Sequence, residues 1–262
     1  MSQECPTLEI RGISAAYGHK NVLNEVSARV GASEVLAVIG PNGCGKSTLL
    51  RCVSGLLLPR SGEIHWDGAP LPRDPRERAR RVALSPQGYS GGGDMTLEAM
   101  TLLGRTPHLG PYGAAGRADE SAVEDAIALI APDLRGRRLD QMSGGERQRA
   151  LLCRAVATAA PVLLLDEPVA ALDIRHQFEI LALVKTLARE RHLAVVCVLH
   201  QINLAAAVAD SMSLLSTGRV AAAGSPEEVM TEANLTEIYG TPLRVVPHPV
   251  SGRPQAQSLF SF

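Results

Sequence analysis

Aromatic residues make up only 3% of this 262-residue sequence, and 26 Lys+Arg nearly balance 27 Asp+Glu. Each shortage excludes something. Few aromatics leave few platforms for base stacking, and without a global basic field nothing holds a phosphate backbone, so no nucleic acid is expected as a partner. The longest apolar runs, around Val162–Leu165 and Leu193–Leu199, fall far short of the ~20 residues that a bilayer span needs. The opening residues, MSQECPTLEI, carry neither the basic start nor the apolar stretch of a signal peptide. A soluble, cytoplasmic chain is expected. Cys5, Cys44, Cys52, Cys153 and Cys197 include no CxxC pair and are odd in number. Such a set reads as reduced thiols rather than a disulfide frame or zinc site.

What is present is ordinary for a packed core, with 45% hydrophobic residues. Leu8–Ile13 and Val22–Val30 alternate like strands, with a Tyr-Gly turn within Ala15–Lys20. Val35–Ile39 is continuously apolar, the mark of a strand buried on both faces, and runs through a Gly-rich loop into a helix starting near Gly45. A turn at Pro59–Gly62 precedes strand Glu63–Trp66, and Val82–Ser85 is another short strand. The charged run Arg73–Arg81 reads as a solvated helix face, and Met95 and Met100 as ordinary packing. After a Gly-rich link at Gly88–Asp94 come helices at Leu97–Leu103, Ala118–Ile130 and Gly145–Ala157. Strand and helix then alternate: Val162–Leu165, Ile174–Arg191, Leu193–Leu199 and Asn203–Ala209. Thr217-Gly218 turns a hairpin between Ser213–Ser216 and Arg219–Ala222, and the tail from Pro242 is expected to lie along the surface. Alternating strands and helices imply an α/β fold with a parallel sheet, into which the middle of the chain inserts helices.

Three segments carry chemistry. Gly40-Pro41-Asn42-Gly43-Cys44-Gly45-Lys46-Ser47-Thr48 fits G-x-x-x-x-G-K-[ST] between a buried strand and a helix. Its glycines let backbone N–H groups turn around phosphate oxygens, and the helix N-terminus adds its positive end. Lys46 would reach the β- and γ-phosphates, and the Ser47 hydroxyl would ligate Mg²⁺. The same helix end would lower the Cys44 thiol pKa, so alkylation there is expected to block nucleotide and bound nucleotide to protect it; an inert buried thiol is the alternative. Second, the strand Val162–Leu165 ends in Asp166-Glu167, on the rim where ligands bind parallel sheets. Asp166 would hold Mg²⁺ through water, and Glu167 would orient or deprotonate the attacking water. Third, in Met142-Ser143-Gly144-Gly145-Glu146, Ser143 is a natural N-cap and Glu146 the acid of the first turn. A well-capped helix explains those two, while the two glycines leave room for a large anion.

That third segment resembles the LSGGQ signature of ATP-binding-cassette (ABC) ATPases, with Met142 and Glu146 as departures. The phosphate loop, signature and Asp-Glu strand end follow in the family's order, and the resemblance runs from about Leu8 to Tyr239. Gln87 in Ser85-Pro86-Gln87 looks like the Q-loop, Ala170-Ala171-Leu172-Asp173 like the D-loop, and His200 like the switch histidine. Tyr17 looks like the aromatic that stacks on adenine, although a packed turn tyrosine is the plainer alternative. The resemblance implies one ABC-type ATP-binding domain over 1–262. It would consist of a P-loop NTPase (RecA-like) core over about 1–87 and 158–240 with an N-terminal antiparallel β subdomain, a helical subdomain over about 88–157 carrying the signature, and a tail over about 241–262. It further implies that ATP is held by Tyr17, Val22, Asn42, Gly43, Cys44, Gly45, Lys46, Ser47 and Thr48 of one copy. Ser143, Gly144 and Gly145 of a second, head-to-tail copy would complete the site, and Asp173 is a further nucleotide-binding residue that the resemblance implies. Mg²⁺ would be held by Ser47, Gln87 and Asp166, and catalysis would rest on Glu167, His200, Gln87 and Lys46. The partners implied are membrane permease subunits, contacted from Gln87 to about Pro111, and indirectly a periplasmic or lipoprotein substrate-binding protein. The chain would then sit on the cytoplasmic side of the cell membrane.

Gly104-Arg105-Thr106-Pro107-His108, Leu172-Asp173-Ile174-Arg175-His176-Gln177 and Leu199-His200-Gln201-Ile202-Asn203-Leu204-Ala205 resemble segments of the branch that imports iron–siderophore complexes, haem and cobalamin. Gln201, where an acid is common, and Gly91-Gly92-Gly93 depart from that branch. An importer of zinc, manganese or another small solute is the alternative. A chromosome-maintenance ATPase would carry a long coiled coil between Thr48 and Met142, where no sustained heptads occur. A translation-associated member would carry two cassettes, and an exporter half-transporter fused membrane helices; neither pattern is present.

Overall fold

The computed structural model describes residues 6–88, 93–110, 113–170 and 172–259. Cys5, Gly91, Gly92, Pro111 and Ala171, singled out above, lie outside them. Strands β1 (Thr7–Tyr17) and β2 (Lys20–Gly31) form a long hairpin, followed by β3 (Val35–Ile39), helix α1 (Lys46–Ser54), β4 (Ser61–Trp66) and β5 (Ala69–Pro70). After α2 (Pro75–Ala79) and β6 (Val82–Ser85) come three helices, α3 (Leu97–Leu102), α4 (Arg117–Ile130) and α5 (Gly144–Ala157). The chain re-enters the sheet with β7 (Val162–Asp166), α6 (Ile174–Glu190), β8 (Ala194–Val198) and α7 (Ile202–Val208). It ends with β9 (Ser211–Ser216), β10 (Arg219–Gly224), α8 (Pro226–Val229), α9 (Glu232–Tyr239), β11 (Leu243–Pro247) and β12 (Pro254–Ser258).

Two sheets carry the architecture. One runs β2-β1-β4-β5 with antiparallel pairing; the other runs β10-β9-β3-β8-β7-β6, parallel except for the β9–β10 hairpin. The expected α/β fold, a mostly parallel sheet with an antiparallel β layer and inserted helices, is therefore what the chain adopts. Side chains alternate across a strand, so a strand covered on both faces must be apolar throughout. In β3, Val35, Ala37 and Ile39 join the core beneath α5 and α6, while Leu36 and Val38 face α1 and the antiparallel sheet. The β7 and β8 strands divide in the same way between these two cores.

One consequence positions the site. Strands β3, β8, β7 and β6 are consecutive neighbours and parallel, so their C-terminal ends open onto one rim. The register pairs Asp166 with Val198 and Leu165 with Ser85. The residues just beyond these strands, from Gly40 to Lys46, Gln87, Glu167 and His200, thus emerge side by side.

One expectation needs correction, and two regions hold more structure than the sequence reading gave them. Arg78 is not on a solvated face: it is 9% exposed and donates to the carbonyls of Val53, Cys52, Leu71 and Pro72. Five guanidinium donors let one side chain bond four carbonyls, two of them in the last turn of α1, which offsets its burial. The tail lies along the surface as expected, and there β11 and β12 pair with each other while β12 packs on α7. The hydrophobic pattern marks no element over 225–241, yet α8 and α9 lie there. The missed signal is the cap chemistry: Ser225 and Glu228 form a reciprocal capping box, and Thr231 caps α9.

Candidate functional site

The loop from Gly40 to Gly45 wraps the N-terminus of α1 in a conformation that needs glycine. Gly40 has φ 144°, and a Cβ there would lie 2.1 Å from the carbonyl oxygen of Leu215. Gly45, the N-cap of α1 at φ 111°, would press a Cβ to 2.6 Å from Leu23. Loop and β layer are thus fitted to one another. Lys46 is 5% exposed, and its Nζ donates to the carbonyls of Gly40 and Pro41 at 2.8 and 2.9 Å. The ammonium is held inside the loop, beside the backbone that would receive phosphate oxygens.

Opposite the loop stand the carboxylates from the end of β7. The Ser47 hydroxyl donates to Asp166 Oδ1 at 3.1 Å, joining residues far apart in sequence. Burial pushes the Asp166 carboxyl up from its ordinary value, and the neighbouring Glu167 charge adds to this; the Ser47 hydrogen bond, Arg51 and Lys46 pull the other way. Glu167 sits at φ 52°, left-handed for a non-glycine residue, with its N–H bonded to the Val198 carbonyl at 3.1 Å. Such backbone strain persists only where the surroundings enforce it. Here its effect is to bring the side chain between two partners. Gln87 Nε2 donates to Glu167 Oε2 at 2.6 Å, and His200 Nε2 is hydrogen-bonded to Glu167 Oε1.

Val22, Asn42, Gly43, Gly45, Lys46, Ser47, Thr48, Glu167 and His200 line a single open cleft of 180 Å³. Larger cavities, of 340, 350 and 250 Å³, contain none of the residues expected to bind nucleotide. Gln87 joins the cleft through Glu167, and Asp166 joins it through Ser47. Tyr17 is 44% exposed at the end of β1, where its hydroxyl accepts from Arg51 at 3.1 Å. Its ring is therefore partly free on the side of the antiparallel sheet.

The signature residues lie elsewhere: Ser143, Gly144, Gly145 and Asp173 do not line the cleft. Ser143 caps α5, accepting from the Glu146 N–H, while its own N–H donates to Glu146 at 2.8 Å. That donation, with Arg137 at 2.6 Å, holds the Glu146 carboxyl below its usual range. The departure from glutamine at this position is thus absorbed by a capping box and an ion pair. The two glycines differ. Gly144 is exposed, whereas Gly145 is buried, and a Cβ on it would lie 2.8 Å from the His176 ring. Gly145 therefore has a packing reason of its own, which anion access alone missed. His176 is in turn held at 2.7 Å by Asp173, the N-cap of α6.

Cys44 also requires correction. It is 5% exposed, and desolvation pushes its thiol up despite the opposing charge of Lys46. Burial and the raised thiol favour the buried-thiol alternative. The GRxPH segment serves as a clasp: Arg105 donates to the Ala157 carbonyl at 2.8 Å and pairs with Asp119, and His108 bonds the Thr158 carbonyl at 2.8 Å. These contacts fasten the C-terminal end of the helix that Ser143 begins.

Comparison with known proteins follows the same residues. The ABC transporter family model matches residues 23–170. The chain is 43% identical over 237 residues to the hemin import ATP-binding protein HmuV of Nocardia farcinica, covering 89% of this chain and 81% of that one. It is 35% identical over 256 residues to the ferric enterobactin transport ATP-binding protein FepC of Escherichia coli, covering 97% and 94%. Among solved structures, a metal-chelate type ABC transporter in an inward-facing conformation superimposes with a TM-score of 0.85 at 27% identity, covering 98% of both chains. The matched span holds the phosphate loop, the capped α5 helix and both carboxylates, and on that ground this chain belongs to the ABC transporter family, as one of its ATP-binding, ATP-hydrolysing components.

Proposed function

We propose that the chain energises a bacterial importer of metal chelates, such as haem, a ferric siderophore or a corrinoid, from the cytoplasmic face of the membrane. Its relatives named for hemin and ferric enterobactin import support that substrate class. Among the described residues, no helix is long and apolar enough to cross a membrane, so separate permease subunits would supply the pathway. A periplasmic or lipoprotein receptor would select the cargo.

The observation that carries the mechanism is Glu167 held between Gln87 and His200 at the edge of the phosphate cleft. Lys46 would exchange the Gly40 and Pro41 carbonyls for the β- and γ-phosphates, where a fixed cation in a dry site stabilises transferring charge. Glu167 would take the proton of the attacking water, oriented by His200, while Gln87 reports the γ-phosphate. Tyr17 would stack on adenine. The residues present fit Mg²⁺: Ser47 and the half-buried Asp166 already share a hydrogen bond, a hydroxyl and a carboxylate side by side. Mg²⁺ usually binds one or two protein groups and completes its shell with water and phosphate. Ser47, Asp166 and Gln87 would hold it, and when bound it neutralises charge on the phosphate oxygens. Because Ser143, Gly144 and Asp173 lie outside the cleft, a second head-to-tail copy would present them to the γ-phosphate. The segment from Gln87 to about Pro111 would pass closure to the permease.

The test is uptake. The complete transporter in vesicles loaded with Mg-ATP should accumulate a metal chelate only when its receptor is present, and Glu167→Gln should stop uptake while leaving receptor docking intact. Transport of free zinc or manganese instead would overturn the substrate class. Cysteines engineered at Thr96 and Leu103 should cross-link to the permease; adducts arising only beyond Pro242 would move the contact.

A further inference from the structure

The helix that follows His200 is poorly secured by its own sequence. Helix α7 has seven residues, its N-cap Gln201 makes no side-chain capping bond, and its last turn contains no basic residue. A helix of two turns without caps is marginal alone, so its position must come from its surroundings. Leu204, Ala205, Ala206 and Val208 are buried against the core and restrain one face. The tail supplies the other restraint. Asn203 Nδ2 donates to the Ala256 carbonyl at 3.0 Å, and the Ala256 N–H donates back to Asn203 Oδ1 at 2.8 Å. The side-chain amide thereby pairs with the backbone of β12 as a neighbouring strand would. Arg253, one residue before β12, donates to the carbonyls of Ala206 at 3.2 Å and Ala209 at 2.7 Å. It places a cation on the orphan carbonyls at the negative end of α7. The hairpin β11–β12 thus holds both the first turn and the end of a helix whose first residue is two positions after His200.

On the cleft side, the only side-chain partner the structure gives His200 among the described residues is Glu167. The imidazole is set by the backbone that carries it, between the end of β8 and the start of α7. A displacement of α7 would move the ring relative to the carboxylate, and misplacement of about 1 Å can cost up to 100-fold in rate.

We propose that Asn203 and Arg253 are positioning residues for ATP hydrolysis: by docking the C-terminal hairpin on α7, they fix His200 against Glu167. This rests on the role given to His200 above. Neither residue touches the nucleotide cleft, so ATP affinity should be spared. The amide must be both donor and acceptor, which asparagine satisfies and aspartate does not.

The test is steady-state ATPase activity of the full chain. Asn203→Ala should lower kcat roughly tenfold with KM for ATP unchanged, Asn203→Asp should recover only part of it, and Arg253→Ala, a second variant should the first fail to fold, should act in the same direction. The decisive arm is a double-mutant cycle. If Asn203 acts through His200, adding Asn203→Ala to His200→Ala should cost nothing further, whereas a general loss of packing would multiply the two effects. Multiplicative losses, or a rise in KM with kcat retained, overturn the proposal. A His200→Ala variant that hydrolyses ATP at the wild-type rate overturns the role of His200 and this proposal with it. A His200→Ala loss beside fully active Asn203→Ala and Arg253→Ala overturns this proposal alone.

Discussion

Ser47 and Asp166 meet at 3.1 Å, hydroxyl to carboxylate, across the gap between the first turn of α1 and the end of β7. That pair has an energetic signature in the free protein. Burial raises the Asp166 carboxyl above its ordinary value. A carboxyl whose pKa is higher folded than unfolded favours folding in its protonated form. That contribution is present at low pH and is lost as pH rises through the folded value. Asp166→Asn keeps the acceptor for Ser47 and removes the partly desolvated charge. It should raise Tm at neutral pH without nucleotide, each kcal/mol recovered being worth about 2–4 °C. The advantage should shrink toward acidic pH, and Mg²⁺ dependence of ATP binding should vanish. A variant melting below wild type at neutral pH would contradict this.

Lys46→Ala should abolish turnover. The ammonium is the side-chain cation that lines the cleft, held on the Gly40 and Pro41 carbonyls where phosphate would arrive. Loss of one well-placed donor from a dry site commonly costs about 100-fold or more in rate. ATPase activity above about a tenth of wild type would show that the cleft does not bind phosphate as described.

Cys44 should label slowly. With its thiol buried and pushed up by desolvation, the reactive thiolate is scarce near neutral pH. Iodoacetamide should modify it roughly ten times more slowly than a free cysteine peptide, with the rate climbing steeply at alkaline pH. Rapid labelling at neutral pH, blocked by Mg-ATP, would restore the reactive-thiol reading.

Gly145→Ala should destabilise the fold through His176. The added Cβ would sit 2.8 Å from the ring, which is tethered to Asp173 at the start of α6. Overpacking of this kind costs about 1–3 kcal/mol. Combining Gly145→Ala with His176→Ala should return most of the loss in a denaturant melt, because the obstacle has gone. Equal destabilisation in both backgrounds would mean that Gly145 matters for another reason.

The nucleotide-facing half of the site was legible because its chemistry is local. Phosphate binding forces glycines, a lysine and a hydroxyl into one short run, and the strands on either side must be apolar because both faces are covered. Gln87, Glu167 and His200 are single residues, and only the parallel order β3-β8-β7-β6 makes them neighbours. Family resemblance could pick them out; composition could not. Arg78 defeated the charge pattern because a buried guanidinium and a solvated one look alike until the carbonyls it serves are located. The contact of Asn203 with Ala256 was illegible for a similar reason, since it joins residues far apart along the chain. Cys44 shows two physical effects in competition, with desolvation outweighing the helix terminus.

Glu167→Gln should trap two copies around ATP. The amide keeps the shape of the side chain and can still meet Gln87 and His200, but it cannot accept the proton of the attacking water. Hydrolysis should fall steeply while Mg-ATP binding survives. Ser143 lies outside the cleft of its own chain, exposed at the N-terminus of α5 with Gly144 beside it. If the second copy brings that terminus to the γ-phosphate, an uncleaved nucleotide is what holds the copies together. Wild-type subunits, which keep breaking the bridge, should run as monomers by size-exclusion chromatography. The Gln variant should shift to a dimer only when Mg-ATP is present. Adding Ser143→Arg would put a long side chain where phosphate must fit, and the shift should disappear. A dimer indifferent to both ATP and Ser143→Arg would place the contact between copies elsewhere, and the shared-site mechanism would fail.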